Sequence, residues 1–110
     1  LANSVTVTGA AGAWTLGAAF TEIVPAATVA VEWYIDGIDV TALGVGVIAE
    51  VVLVHGAGDT EFARFTVATP GHYPLHAQKP IAANDRIAAK VATLAGGAQA
   101  VDIKVQYHTA

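Results

Sequence analysis

The sequence predicts an all-β fold, a single antiparallel β-sandwich of about eight strands organised like a jelly roll. Three observations carry that expectation. Apolar residues recur with a period of two, which gives a strand one dry and one wet face; Val5 and Val7 alternate with Ser4, Thr6 and Thr8 in this way. Turn-forming Gly, Pro, Asn and Asp return at short intervals between such segments. The chain of 110 residues suits one domain, 1–110, and has no cysteine, so its core has to hold it without disulfides. Eight strands favour a jelly roll over a seven-stranded immunoglobulin-like sandwich.

The first short strand leads into a loose stretch around Trp14, marked by Gly9, Gly12 and Gly17. Residues Ala19 to Val24 read as a strand stopped by Pro25. In Thr28 to Asp36, Val29, Val31, Trp33 and Ile35 share one face, and Ala30, Glu32, Tyr34 and Asp36 share the other. Asp36-Gly37 reads as a turn. Gly46 to His55 is β-branched and apolar, broken by Glu50, which predicts a largely buried strand. A Gly-rich turn, His55 to Asp59, leads to its hairpin partner, Glu61 to Val67. Pro70-Gly71 is a further turn, and Pro74 confines its own segment to an edge or a loop.

Ala83-Asn-Asp85 reads as a turn before a strand rather than as part of a helix over 80–90. Ile87, Ala89, Val91 and Thr93 then face one way, and Arg86, Ala88, Lys90 and Ala92 the other. Ala95 to Ala98 turns the chain into Val101, Ile103, Val105 and Tyr107, which alternate with Asp102, Lys104, Gln106 and His108. These two segments read as a hairpin.

Composition bounds the function. The chain is 55% hydrophobic and only 13% charged, against roughly 25% charged in ordinary soluble domains. The apolar excess is in Ala and Val, with many Gly beside them. So few charges on a small domain imply that part of its surface is covered by protein partners, itself among them. Net charge is −4, and Arg64, Lys79, Arg86, Lys90 and Lys104 are scattered, which argues against nucleic-acid binding. The best apolar run, Ala42 to Val54, is interrupted by Glu50 and falls short of the roughly 20 residues of a spanning helix, so no membrane role is expected. The first residues lack the basic flank of a signal peptide.

No reaction chemistry is legible, and the chain is read as a non-enzyme with no cofactor. Ser4 is the only serine and has no nucleophile-elbow context. Gly9-Ala-Ala-Gly12 lacks the Lys-Ser/Thr ending and the helix of a phosphate loop. His72 and His76 have HxxxH spacing, but on an extended chain carrying Pro74 they stand about 13 Å apart, too far for one tetrahedral metal. They read instead as surface or interface histidines. Asp36 and Asp39 lack the order of a calcium loop and read as a solvated turn, and Asp59 and Glu61 read as a polar hairpin tip. Trp33 belongs to the core face. Trp14 and Tyr73 lie in Gly- and Pro-rich stretches, where a large ring suits a contact anchor, a sugar-stacking platform or a lid on the sandwich. Trp14, Tyr73, His72 and His76 are therefore the interface candidates, and residues 1–12 a candidate contact arm.

Trp14-Thr-Leu-Gly17, Phe20-Thr-Glu-Ile-Val-Pro-Ala26, Pro80-Ile-Ala-Ala-Asn-Asp-Arg-Ile-Ala-Ala-Lys90 and Val101-Asp-Ile-Lys-Val-Gln-Tyr-His108 together resemble small structural proteins of tailed bacteriophages. The resemblance runs from about Gly12 to the C-terminus. It implies a virion protein on the outer capsid surface, a jelly-roll decoration or cementing protein. Such a protein forms a homo-oligomer, commonly a trimer, bound to the major capsid protein or another virion protein. It carries no catalytic residues to transfer. The alternative expectation is a carbohydrate- or receptor-binding module of a phage fibre, tail or secreted protein, with Trp14, Tyr73 and the carboxylates near Asp59 forming a shallow loop site.

Overall fold

Alternation of apolar and polar residues becomes eight strands in the computed structural model, which describes residues 4–17, 20–94 and 99–109. They are β1 (Val5–Thr8), β2 (Thr21–Val24), β3 (Trp33–Leu43), β4 (Ala49–His55), β5 (Thr60–Val67), β6 (Gly71–Ile81), β7 (Ile87–Thr93) and β8 (Ala100–His108), with a single 3-10 turn at Ala26–Thr28 among the described residues. Two four-stranded sheets form, one in the order β1-β8-β3-β6 and the other β2-β7-β4-β5. The first strand pairs with the last, the second with the seventh, the third with the sixth and the fourth with the fifth, all antiparallel. That is one long hairpin rolled up so that its strand pairs alternate between the two sheets, the jelly roll.

The core lies between the sheets. The first sheet contributes Val7, Ile35, Ile38, Ile81, Ile103 and Val105, and the second Ile23, Val51, Leu53, Ile87 and Val91, all nearly or fully buried. Each such side chain contributes about 1.5–3 kcal/mol by leaving water. Small and β-branched residues dominate, so the filling is dense and leaves few rotamers to restrict. Trp33 stacks on Tyr107 with ring centroids 3.6 Å apart and planes within 5°, sealing the core where β3 begins and β8 ends. Tyr73 meets Phe65 edge-on across the gap between β6 and β5, closing the side of the sandwich where the two sheets end.

The expected Asp36-Gly37 turn is instead the middle of β3. Ile35 and Gly37 pair with Tyr107 and Gln106 of β8, which leaves Asp36 as a bulged residue. On the other side Ile35 pairs with Lys79 and Gly37 with Pro74, so 75–78 of β6 also bulge there. A Cβ on Gly37 would overlap the carbonyl oxygen of Tyr73 and lie 2.8 Å from the Pro74 Cα. The glycine serves this close approach of two strands and not a reversal of the chain. The expected hairpin of the last third is also corrected: β7 and β8 lie in different sheets. The turn read over Ala95 to Ala98 lies outside the described residues.

Val29 is buried ahead of β3, as its alternation implies, but Val31 is 55% exposed because the strand begins only at Trp33. Within the expected contact arm, Val5–Thr8 is β1, and Val7 enters the core; residues 1–3 lie outside the described residues. As Pro74 predicts, β6 is an edge strand. Its free edge is blunted by Pro74, Pro80, the bulge and Lys79, whose register opposite Ile35 sets it on the core side.

Candidate functional site

The antiparallel order sends the connections to two ends. The described residues of the links β1–β2 (9–17 and 20), β3–β4 (44–48), β5–β6 (68–70) and β7–β8 (94 and 99) gather at one end; β2–β3 (25–32), β4–β5 (56–59) and β6–β7 (82–86) gather at the other. In sequence, the first four links contain no Asp, Glu, Lys, Arg or His. Every charged side chain of the links belongs to the other three: Glu32, Asp59, Asp85 and Arg86. The molecule thus has a neutral end and a charged end.

The charged end is stitched by side chains. Arg86 forms an ion pair with Asp59. His55, at the end of β4, donates through Nδ1 to Asp85 over 3.2 Å. The backbone N–H of Gly56 donates to the Arg86 carbonyl (2.9 Å), and that of Asn84 to the Val29 carbonyl (2.7 Å). Asn84 and Asp59 adopt positive φ, +67° and +50°, as polar turn residues do. Each link is tied to a neighbour.

Among the described residues the neutral end is tied across its links by backbone bonds; its side-chain bonds stay local, from the Tyr73 hydroxyl to the Thr69 carbonyl and from the Thr15 hydroxyl to the Ala13 carbonyl. The Trp14 N–H donates to the Thr93 carbonyl (2.7 Å), the Leu94 N–H to Ile48 (2.9 Å) and the Gly9 N–H to Gln99 (3.0 Å). Side chains are left facing out: Trp14 is 47% exposed, Leu94 46%, and Val45, set between Gly44 and Gly46 at the tip of its link, is fully exposed. Trp14 has φ +53°, a conformation unfavourable for a bulky side chain. Thr93, buried at the end of β7, has an Oγ1 without a hydrogen-bond partner among the described residues.

The β1–β2 link also explains why β4 is apolar on both faces. On the outer face of the second sheet Val52, Val54 and Ala88 are buried, and Leu16 and Phe20 of the link pack over them. Lys90 sits 4.3 Å from the centre of the Phe20 ring, a cation–π contact that roofs the patch. Arg64 lies between Glu61 (2.8 Å) and Glu50 (2.7 Å) on the same sheet; these contacts raise the Arg64 pKa and lower that of Glu61.

The outer face of the first sheet is polar and cross-linked. His72 Nδ1–H donates to Asp39 (2.8 Å), and His108 Nδ1–H to Asp36 (2.9 Å). Gln106 also donates to Asp39. Burial of the Asp39 carboxyl works to raise its pKa, but the bonds from His72 and Gln106 and the positive charges of His72 and Lys104 outweigh it, and the group is held below the usual carboxylate range. Asp36 and Asp39 therefore knit strands together and are not the solvated turn expected of them. The Tyr34 hydroxyl donates to Glu32 (2.7 Å), whose bond and charge raise the phenol pKa.

The four interface candidates do not form one site. Trp14 lies at the neutral end. His72 is bonded to Asp39 on the outer face near the start of β6, and the next residue, Tyr73, points into the sandwich and donates its hydroxyl to the Thr69 carbonyl over 2.6 Å. His76 is exposed on the β6 bulge. Among the described residues no three His, Asp or Glu side chains converge as metal ligands. The glycan site expected of Trp14, Tyr73 and Asp59 does not assemble, since Trp14 and Asp59 stand at opposite ends. Val45 and Leu94 were not anticipated as surface groups. A valine between two glycines, in a link without charge, was the available signal for the first.

No protein-family model matches the chain, and no curated protein and no solved structure matches it.

Proposed function

We propose that this chain is a non-catalytic virion structural protein, a decoration protein that binds an assembled shell from outside as a homo-oligomer, most simply a trimer. The observation that carries the reading is the neutral end: four links without an ionisable side chain, presenting Trp14, Val45 and Leu94 to water on an otherwise well-satisfied jelly roll. Exposed apolar groups away from charge are what a protein contact is built from. The resemblance of 14–17, 20–26, 80–90 and 101–108 to small phage structural proteins points the same way. Fold alone does not assign function, because jelly rolls serve capsids, lectins and cupins alike. Three of the four histidines bond aspartates between separate chain segments, which is structural work.

The mechanism is linkage. A protein that binds the assembled shell and not its free subunits stabilises the shell by mass action. The test uses purified shells lacking this chain. Adding it back should raise their temperature of disruption, and light scattering of the free chain should give about three times 11.2 kDa. Shells that neither bind the chain nor gain heat resistance contradict the reading.

A further inference from the structure

We propose that the neutral end is the docking surface, and that its occupant is an uncharged, apolar patch of a protein displayed in repeated copies; this rests on the decoration reading and names the surface and the partner chemistry it requires. The first support is charge. A partner side chain that is ionised would lose its hydration on docking here and meet no counter-charge among the described residues of the four links, which weakens binding. The end therefore selects a partner patch as neutral as itself. Trp14, Val45 and Leu94 supply its apolar centre. Glu50, His72 and Asp102, each within the first three residues of its strand, supply a polar rim on the adjoining outer faces. An apolar centre with a polar rim is the anatomy of a specific protein contact.

Trp14 adds a second observation. A tryptophan held at φ +53° and nearly half exposed gains little within its own chain for the strain it carries. As an anchor in a partner's pocket it would belong to the residue type that dominates interface energetics.

Size decides how the end has to work. The molecule measures 39 × 26 × 22 Å. Its eleven-residue strands β3 and β6 run about 36 Å, so the long dimension follows them and the end is the 26 × 22 Å cross-section. Such a face offers on the order of 500 Å², or about 1,000 Å² counted on both partners, below the range of stable specific complexes. One copy docks weakly. Copies joined in one oligomer, with their neutral ends facing the same way, dock together and gain from effective concentration. The same small area makes an end-to-end pair of copies a poor permanent dimer, and the net charge of −4 with Glu50 and Asp102 at the rim disfavours an anionic lipid surface.

The experiment compares the wild-type chain, the double variant V45D/L94D and the control V31D by co-sedimentation with purified shells that lack the chain. Val31 is more exposed than Leu94 but stands at the charged end. Wild type and V31D should bind alike, and V45D/L94D at least about tenfold more weakly, with melting temperature and oligomer mass unchanged. Equal binding by all three overturns the neutral end as the docking surface and leaves the decoration reading standing. Wild type that fails to bind overturns both. A fall in oligomer mass of V45D/L94D shows the end to be a contact between copies, and flotation of the wild type with phosphatidylcholine vesicles shows it to be a lipid surface. Either result overturns the proposal. Should V45D/L94D melt lower, V45S/L94S replaces it, with the same outcomes.

Discussion

The two tryptophans stand at opposite ends of the sandwich and live in opposite conditions. Trp33, at the charged end, is 4% exposed and stacked on Tyr107; Trp14, at the neutral end, is 47% exposed and sits on strained backbone. The difference extends to everything around them. At the charged end Arg86, Asp59, His55 and Asp85 satisfy one another across two links and the end of β4. At the neutral end backbone bonds join the described residues, and the side chains of Trp14, Val45 and Leu94 face outward. Charge placed where the chain can neutralise it internally closes a surface, whereas charge withheld from all four links at one end keeps a surface available to another protein.

The largest expected effect is on stability. Trp33→Ala should cost about 3–5 kcal/mol by urea unfolding, since it opens a cavity beside Tyr107 and the paired strand at Ile81. Trp14→Ala should cost less than about 1 kcal/mol. If the two losses are similar, Trp14 is a core residue and the contrast fails. Arg86→Ala should cost roughly 1–3 kcal/mol, because it leaves the half-buried Asp59 carboxylate without its partner and loosens two links.

Two smaller effects sharpen the account of the neutral end. Thr93→Val should raise stability by about 1 kcal/mol, since it removes a buried hydroxyl without a partner among the described residues and keeps the shape; a loss would show that the hydroxyl is bonded. Trp14→Gly should be more stable than Trp14→Ala by about 1 kcal/mol, because glycine adopts φ +53° without strain. If alanine is the better replacement, the strain assigned to position 14 is absent.

Between the ends, Asp39 gives a pH dependence. Its folded pKa is depressed, so its stabilisation is present above the unfolded value near 3.9 and is lost as pH falls through the lower folded value. Wild type should therefore exceed Asp39→Asn in stability at neutral pH, and the gap should close in acid below that range. A gap that stays constant would remove the carboxylate from the account.

Much of the fold was legible because burial here is decided strand by strand. Val5 and Val7, the run 46–55 and the alternation of 101–107 each report their own wet and dry faces, and the residues occupy them as read. The pairing of those strands is not local. Segments 87–93 and 101–108 alternate like the arms of a hairpin, yet lie in different sheets, and alternation carries no information about which edge a strand meets. Asp36-Gly37 has the local chemistry of a turn, while the demand on Gly37 comes from Tyr73 and Pro74, distant in sequence. The His–Asp pairs join residues 30 to 72 positions apart and leave no spacing signal. The neutral end was half visible: its links are charge-free in the sequence, but only the rolled topology brings them together.

The most direct test is the fluorescence of Trp14 in a Trp33→Phe chain, where it is the sole tryptophan. Free in solution it should be readily quenched by acrylamide, and on binding shells that lack the chain its emission should shift to the blue and its quenching fall several-fold. A chain that binds those shells while Trp14 remains as accessible as before would contradict docking through the neutral end.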